Sequence, residues 1–192
     1  MSAATIRRRT AGRLGRGGGP GSADVAALFP PEPQVLQEGE GEQAQERVVV
    51  QRVRQAARDI AQHGEAGLAT YRTKNATSVW KDSYIFVVRC EGGTAVVAAH
   101  PVRPELDGRP AAQTLTFGPK PGEQIAAAFC TEGRKPHGGW VEYDFPKAGA
   151  TKPERKVSYL LAAPGTPYVV GAGVYDPTAK VEDLDRLASS QP

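Results

Sequence analysis

From Trp80 to Asp176 the chain is a series of short apolar runs separated by turn residues, and no other feature restricts its fold as much. It reads Tyr84-Ile85-Phe86-Val87-Val88, then Glu91-Gly92-Gly93, then Ala98-Ala99-His100-Pro101. Gly139-Trp140-Val141-Glu142-Tyr143, Lys156-Val157-Ser158-Tyr159 and Val170-Gly171-Ala172-Gly173-Val174-Tyr175-Asp176 follow. Runs this short, rich in β-branched and aromatic residues, read as strands rather than helices. A sheet built from them buries an apolar face and leaves phenol, imidazole and ammonium groups at or near strand ends. Such an inventory suits the recognition of a small anion better than turnover.

Strands are expected over 84–89, 94–99, 140–145, 156–162 and 168–175, with Gly92-Gly93 turning the first hairpin. Within 140–145 the alternation puts Val141, Tyr143 and Phe145 on one face. The run 168–175 is almost continuously apolar, as in a strand covered on both sides. Its Gly171 and Gly173 mark a strand that another group approaches closely. Five prolines from Pro101 to Pro121 make that stretch an irregular connection. Short helices are expected over 122–131 and 181–187. Upstream, Val49, Val53, Ala57, Ile60, Gly64, Leu68 and Tyr71 recur at spacings of three and four, so one long amphipathic helix is expected over 43–71, packed on the sheet. The fold class is α+β: about five strands behind a long N-terminal helix. Residues 1–42 form an extension, disordered over the Arg/Gly/Ser-rich 1–22 and then a Pro/Glu-rich linker or strap. Residues 43–180 form one domain, and 181–192 a short helix and tail.

The formal charge of +3 is misleading as a whole-chain value. Arg7, Arg8, Arg9, Arg13 and Arg16 precede the first acidic residue, Asp24; without them 19 basic residues face 21 acidic ones. The body therefore has no charge excess suited to nucleic acid. Arg7-Arg8-Arg9 is not followed by an apolar stretch of about 7–15 residues, so it reads as a basic arm, a trimmed signal or a misplaced start. No run of about 18 apolar residues occurs. Cys90 and Cys130, forty apart, match no zinc or redox spacing. Two small buried side chains are the favoured reading; one disulfide in an oxidising compartment is the alternative.

His100 precedes Pro101, which restrains its backbone, so the imidazole can face a pocket and donate to a carboxylate, or be satisfied by a backbone carbonyl. Tyr84, Tyr143, Tyr159, Tyr168 and Tyr175 lie on expected strands; converging hydroxyls would make a polar site, whereas separate ones are core residues. Trp80 can wall such a cavity. Lys156 and Tyr159 are an odd number of residues apart, which sets them on opposite faces of one strand unless a bulge intervenes. No Gly-x-Ser-x-Gly, His-Glu-x-x-His, Walker loop or dinucleotide fingerprint occurs. His63, His100 and His137 have no metal-ligand spacing, so neither metal nor cofactor is expected. A Cys90–His100 thiol–imidazole pair would support only a small hydrolase, a minor alternative.

The block 80–176 resembles a single Cache domain, the small PAS-like extracytoplasmic sensor of bacterial chemoreceptors and histidine kinases. The likeness rests on Asp82-Ser83-Tyr84-Ile85-Phe86-Val87-Val88 with Gly92-Gly93, Ala99-His100-Pro101 with Pro104-Glu105-Leu106-Asp107-Gly108-Arg109, Gly139-Trp140-Val141-Glu142-Tyr143, Lys156-Val157-Ser158-Tyr159 and Gly171-Ala172-Gly173-Val174-Tyr175. It implies a PAS-like antiparallel sheet, a periplasmic or extracellular location, no catalysis, and a pocket for a C2–C3 carboxylate in signal transduction or chemotaxis. Trp80, Tyr84, His100, Tyr143, Lys156 and Tyr159 are the ligand-binding residues it implies. The long helix allows a homodimer, and a membrane-bound partner is expected to receive the signal. A PAS-like interaction domain whose pocket is filled by its own side chains is the alternative.

Overall fold

A computed structural model describes Gly41 and residues 43–191; apart from Gly41, the expected N-terminal extension lies outside the described residues. The helix α1 spans Glu46–His63 and buries Val49, Val50, Val53, Ala56, Ala57 and Ile60. It stops at Gly64, whose φ of +58 leaves the helical region. A 3-10 turn over Gly64–Gly67 then leads to the short helix α2, Leu68–Tyr71. The single helix expected over 43–71 is thus divided, because Gly64 holds a backbone conformation that ends α1.

The strands β1 (Val79–Trp80) and β2 (Ser83–Tyr84) form a two-stranded ribbon. Tyr84 therefore lies outside the main sheet, whose first strand is β3, Phe86–Glu91. The turn after β3 holds Gly92 at φ +57 and Gly93 at φ +79, two left-handed positions that match the twist of the hairpin. The strands β4 (Thr94–Ala99), β5 (Gly139–Pro146), β6 (Pro153–Ala162) and β7 (Tyr168–Val174) complete five antiparallel strands in the order β4-β3-β7-β6-β5. Two further helices, α3 (Ala111–Thr114) and α4 (Gly122–Gly133), follow the connection after β4. The last helix, α5, spans Val181–Ser190.

The pleat separates two cores. Val157, Tyr159, Val170, Ala172 and Val174 face α1, together with Trp80 and Trp140. Phe86, Val88, Val141, Tyr143, Phe145 and Leu160 face the opposite way, against α4 and the 101–121 connection. Because β7 is covered on both sides, all seven of its residues are buried. Its glycines are dictated by contact. A Cβ at Gly171 would overlap the Phe86 ring, and one at Gly173 would overlap the Ser158 hydroxyl and the Val157 carbonyl. The apolar face of α1 is used up on the sheet, so a dimer through this helix would have to use its polar side.

Two ties hold the outer layers. Arg54 of α1 donates from Nη1 to the Gln191 carbonyl at 3.0 Å and from Nη2 to that of Ala188 at 2.8 Å, which caps the C-terminus of α5 with a cation. Cys90 and Cys130 form a disulfide, with Cα atoms 5.8 Å apart, that pins α4 to the end of β3. This corrects the favoured expectation of two separate buried thiols. A strand end and a helix forty residues away are brought together by tertiary folding that spacing alone does not reveal. Arg134 Nη2 reinforces the junction by donating to the Cys90 carbonyl at 2.8 Å. No described helix is long and apolar enough to cross a membrane.

A cross-link closing a loop of this size is worth about 2–4 kcal/mol. Replacing both cysteines by alanine is expected to lower the unfolding free energy by about that amount, measured by urea denaturation. Reducing agent should destabilise the parent chain and leave the double variant unchanged.

Candidate functional site

The face of the sheet turned away from α1 is covered by the 101–121 connection and α4, and these enclose a small cavity. Its volume is about 30 Å³, and its walls are Tyr84, His100 and Tyr143 with Phe86, Phe129, Phe145, Leu106 and Leu115 among others. Three of the six residues singled out in the sequence therefore meet at one hollow. Their sources differ: Tyr84 comes from β2, Tyr143 from β5, and His100 from the end of β4, where Pro101 turns the chain.

Lys156 stands directly behind this wall. It is the cross-strand partner of Tyr143 in the β5–β6 ladder and has no exposed surface. Its Nζ lies 3.9 Å from the centre of the Tyr84 ring, 5.2 Å from that of Tyr175, and 5.6 Å from those of Phe86 and Phe145. Among the described residues it has no hydrogen-bond partner. Gly173, on the adjacent strand, leaves space for the stem: a Cβ there would stand 3.0 Å from Lys156 Cε.

Two effects compete at this amine. Ring faces attract a desolvated cation by about 2 kcal/mol, whereas removing an ammonium from water costs several kcal/mol. Desolvation wins. Burial lowers the Lys156 pKa from 10.5 to about 7, against the opposing pull of the Asp82 carboxylate. Burial likewise lowers the His100 pKa to about 3, with the Lys156 and Arg103 charges adding to the effect. His100 is therefore neutral near pH 7. Its Nδ1 accepts the Arg103 backbone N–H at 3.1 Å, which assigns the ring proton to Nε2. Burial raises the pKa values of the Tyr84, Tyr143 and Tyr175 phenols, leaving them as neutral donors. Tyr143 Oη shares a hydrogen bond with Ser158 Oγ at 3.0 Å, and Tyr175 donates to the Pro146 carbonyl at 2.9 Å.

Trp80 and Tyr159 are placed elsewhere. Both belong to the core under α1. Tyr159 donates to the His137 carbonyl at 2.6 Å and meets the Trp140 ring at a tilt, with centroids 5.5 Å apart, while the guanidinium of Arg52 sits 4.5 Å above the Trp80 ring. No bulge interrupts β6 against either neighbour, so its pleat sends Lys156 and Tyr159 to opposite sides. Tyr175 joins the site though it was not among the residues selected. It lies just beyond β7, two residues from Gly173, and no local sequence signal marks it as part of the site. Cys90 is bonded to Cys130, so no free thiol faces His100 and the thiol hydrolase reading is corrected. Among the described residues no group of three His, Cys, Asp or Glu could hold a metal ion.

A larger hollow, about 510 Å³, lies along the β5 edge between Lys120, Glu132, Arg155 and Glu182. It is open and polar, and two of its cations, Lys120 and Arg155, both bind Glu142, while Lys180 also lines it. The smaller cavity is apolar and lies beside the buried Lys156 amine.

Lys156→Met keeps the stem and removes the unpartnered amine. The folded-state pKa lies below the unfolded one, so the burial penalty is full below about pH 7 and is relieved as pH rises toward 10.5. The variant is expected to be about 1–4 kcal/mol more stable than the parent near pH 6. That gap should narrow toward pH 9, as read by urea unfolding at both pH values.

The domain has relatives. A family model for the Cache domain matches residues 70–178. Among solved structures, the periplasmic sensor domain of a chemotaxis protein is 25% identical, with a TM-score of 0.52, covering 68% of this chain and 92% of its own. A Cache chemosensory domain described for carboxylic acid recognition is 20% identical, with a TM-score of 0.47, covering 67% of this chain and 87% of its own. A methyl-accepting chemotaxis protein from Vibrio parahaemolyticus RIMD 2210633 is 18% identical, with a TM-score of 0.47, covering 69% and 80%. With a long helix on one face of a five-stranded antiparallel sheet, and the family model spanning more than half of its length, this chain belongs to the Cache domain family.

Proposed function

We propose that residues 43–180 form an extracytoplasmic sensor domain that binds a small organic acid of two or three carbons and passes the event to a membrane-borne signalling partner. The observation that carries this reading is Lys156: a buried amine without a hydrogen-bond partner among the described residues, beside a hollow walled by Tyr84, His100 and Tyr143. A carboxylate supplies what the amine lacks. Its oxygens would take charge-assisted hydrogen bonds from the ammonium and neutral ones from His100 Nε2–H and the phenols, with the short alkyl tail among Leu106, Leu115 and Phe129. The Cys90–Cys130 disulfide supports an oxidising compartment. On this reading Trp80 and Tyr159 serve the core and touch no ligand.

The cavity's size sets a condition. About 30 Å³ holds one or two waters, not an acid of two or three carbons. Binding therefore requires the 101–121 connection to move outward, and ligand affinity includes the cost of that movement. The same observation favours a second reading, in which aromatic side chains fill the pocket permanently and the domain acts through its surface.

Thermal unfolding against acetate, propionate, pyruvate and lactate separates the two. The sensor predicts a melting temperature that climbs with the concentration of at least one acid. Lys156→Met and Tyr84→Ala should each weaken that acid's binding by tenfold or more, about 1.4 kcal/mol. A protein freed of co-purified ligand by unfolding and refolding, yet unmoved by all four acids, would select the self-filled domain.

A further inference from the structure

The sensor reading leaves open how a neutral amine comes to hold an anion. Groups from every element around Lys156 bear on the answer. Tyr84 from β2, Tyr143 from β5 and Tyr175 after β7 are phenols that keep their protons well above neutrality. His100 stays neutral down to about pH 3. Arg103, from the connection, opposes a positive charge on His100, and the Lys147 Nζ lies 5.2 Å from the centre of the Tyr175 ring. Asp82, in the β1–β2 turn, favours one, but its Oδ1 is occupied by the Ala44 N–H at 2.8 Å.

Lys156 has no exposed surface, no hydrogen-bond partner among the described residues and an Nζ 3.9 Å from the Tyr84 ring centre, and around neutral pH it is the group of this cluster that can change charge. A short-chain acid arrives as a carboxylate at any pH above about 5. An anion entering a largely apolar site beside an uncharged amine would lose hydration without gaining a counter-charge. If the amine takes a proton from water as the anion enters, the two charges cancel within the site.

From this geometry we propose that acid binding is coupled to the uptake of one proton at Lys156, so that the domain reports acid and pH jointly. The inference rests on the carboxylate reading above and adds its regulation. The proton comes from solvent, forms an N–H bond on Nζ and leaves again with the ligand; no other bond changes. Binding is then strongest in acidic surroundings and weakens as pH rises through the midpoint of the free amine.

The parent protein suffices for the test. Titration calorimetry with the tightest acid of the panel, in two buffers of unequal protonation enthalpy, counts protons directly. Near one proton per site is expected at about pH 8.5 and near none at about pH 6. With a free-amine midpoint of about 7, affinity should fall about thirtyfold between those two pH values. Binding with equal heats in both buffers and equal affinity at both pH values overturns the coupling and leaves the acid sensor standing. No binding of any acid at either pH overturns the sensor, and the coupling with it.

Discussion

The unbroken pleat of β6 determines which residues can act together. Lys156, Ser158 and Leu160 turn to one side, Val157 and Tyr159 to the other, and both sides are buried. A sheet packed on one face only would leave Lys156 in water with an ordinary pKa. Here α1 closes one face and the 101–121 connection with α4 closes the other, so the amine is desolvated. The glycines of β7 complete the constraint. Gly173 leaves space for the lysine stem, and Gly171 admits the Phe86 ring. Register, side-chain volume and charge are therefore set by the same three strands.

Much of this was legible in the residues themselves. The β5 alternation put Val141, Tyr143 and Phe145 on one face, and they share one core. The Gly92-Gly93 turn, the close-approach glycines and the opposed faces of Lys156 and Tyr159 all follow from local rules of backbone geometry. What could not be read depends on contacts between distant segments. Nothing local indicates that Tyr159 meets α1, that Trp80 sits beneath Arg52, or that Tyr175 closes over Lys156. The disulfide belongs to the same class, since a thiol at a hairpin and a thiol on a helix carry no spacing signature. The division of the first helix at Gly64 was a matter of degree: glycine weakens a helix by up to about 1 kcal/mol, and tertiary packing decides whether the helix survives it.

The two cores have different chemistry. Under α1 two phenols are satisfied, Tyr159 by the His137 carbonyl and Tyr71 by Asp59, while the buried Trp140 Nε1–H has no acceptor among the described residues. On the other face the Lys156 amine lacks an acceptor among the described residues, and a small void remains nearby. Unmet polar groups in an otherwise close-packed interior mark the place where stability has been surrendered, and binding sites commonly have this character.

The position of the disulfide determines how that face can open. Cys130 and Arg134 anchor the C-terminal end of α4 to β3, while Gly122 at its other end packs so closely on α3 that a Cβ would overlap the Ala112 carbonyl. Were the cavity to open as the sensor reading requires, α3 and the free end of α4 would be expected to swing together about the sulfurs, like a door hung on the disulfide.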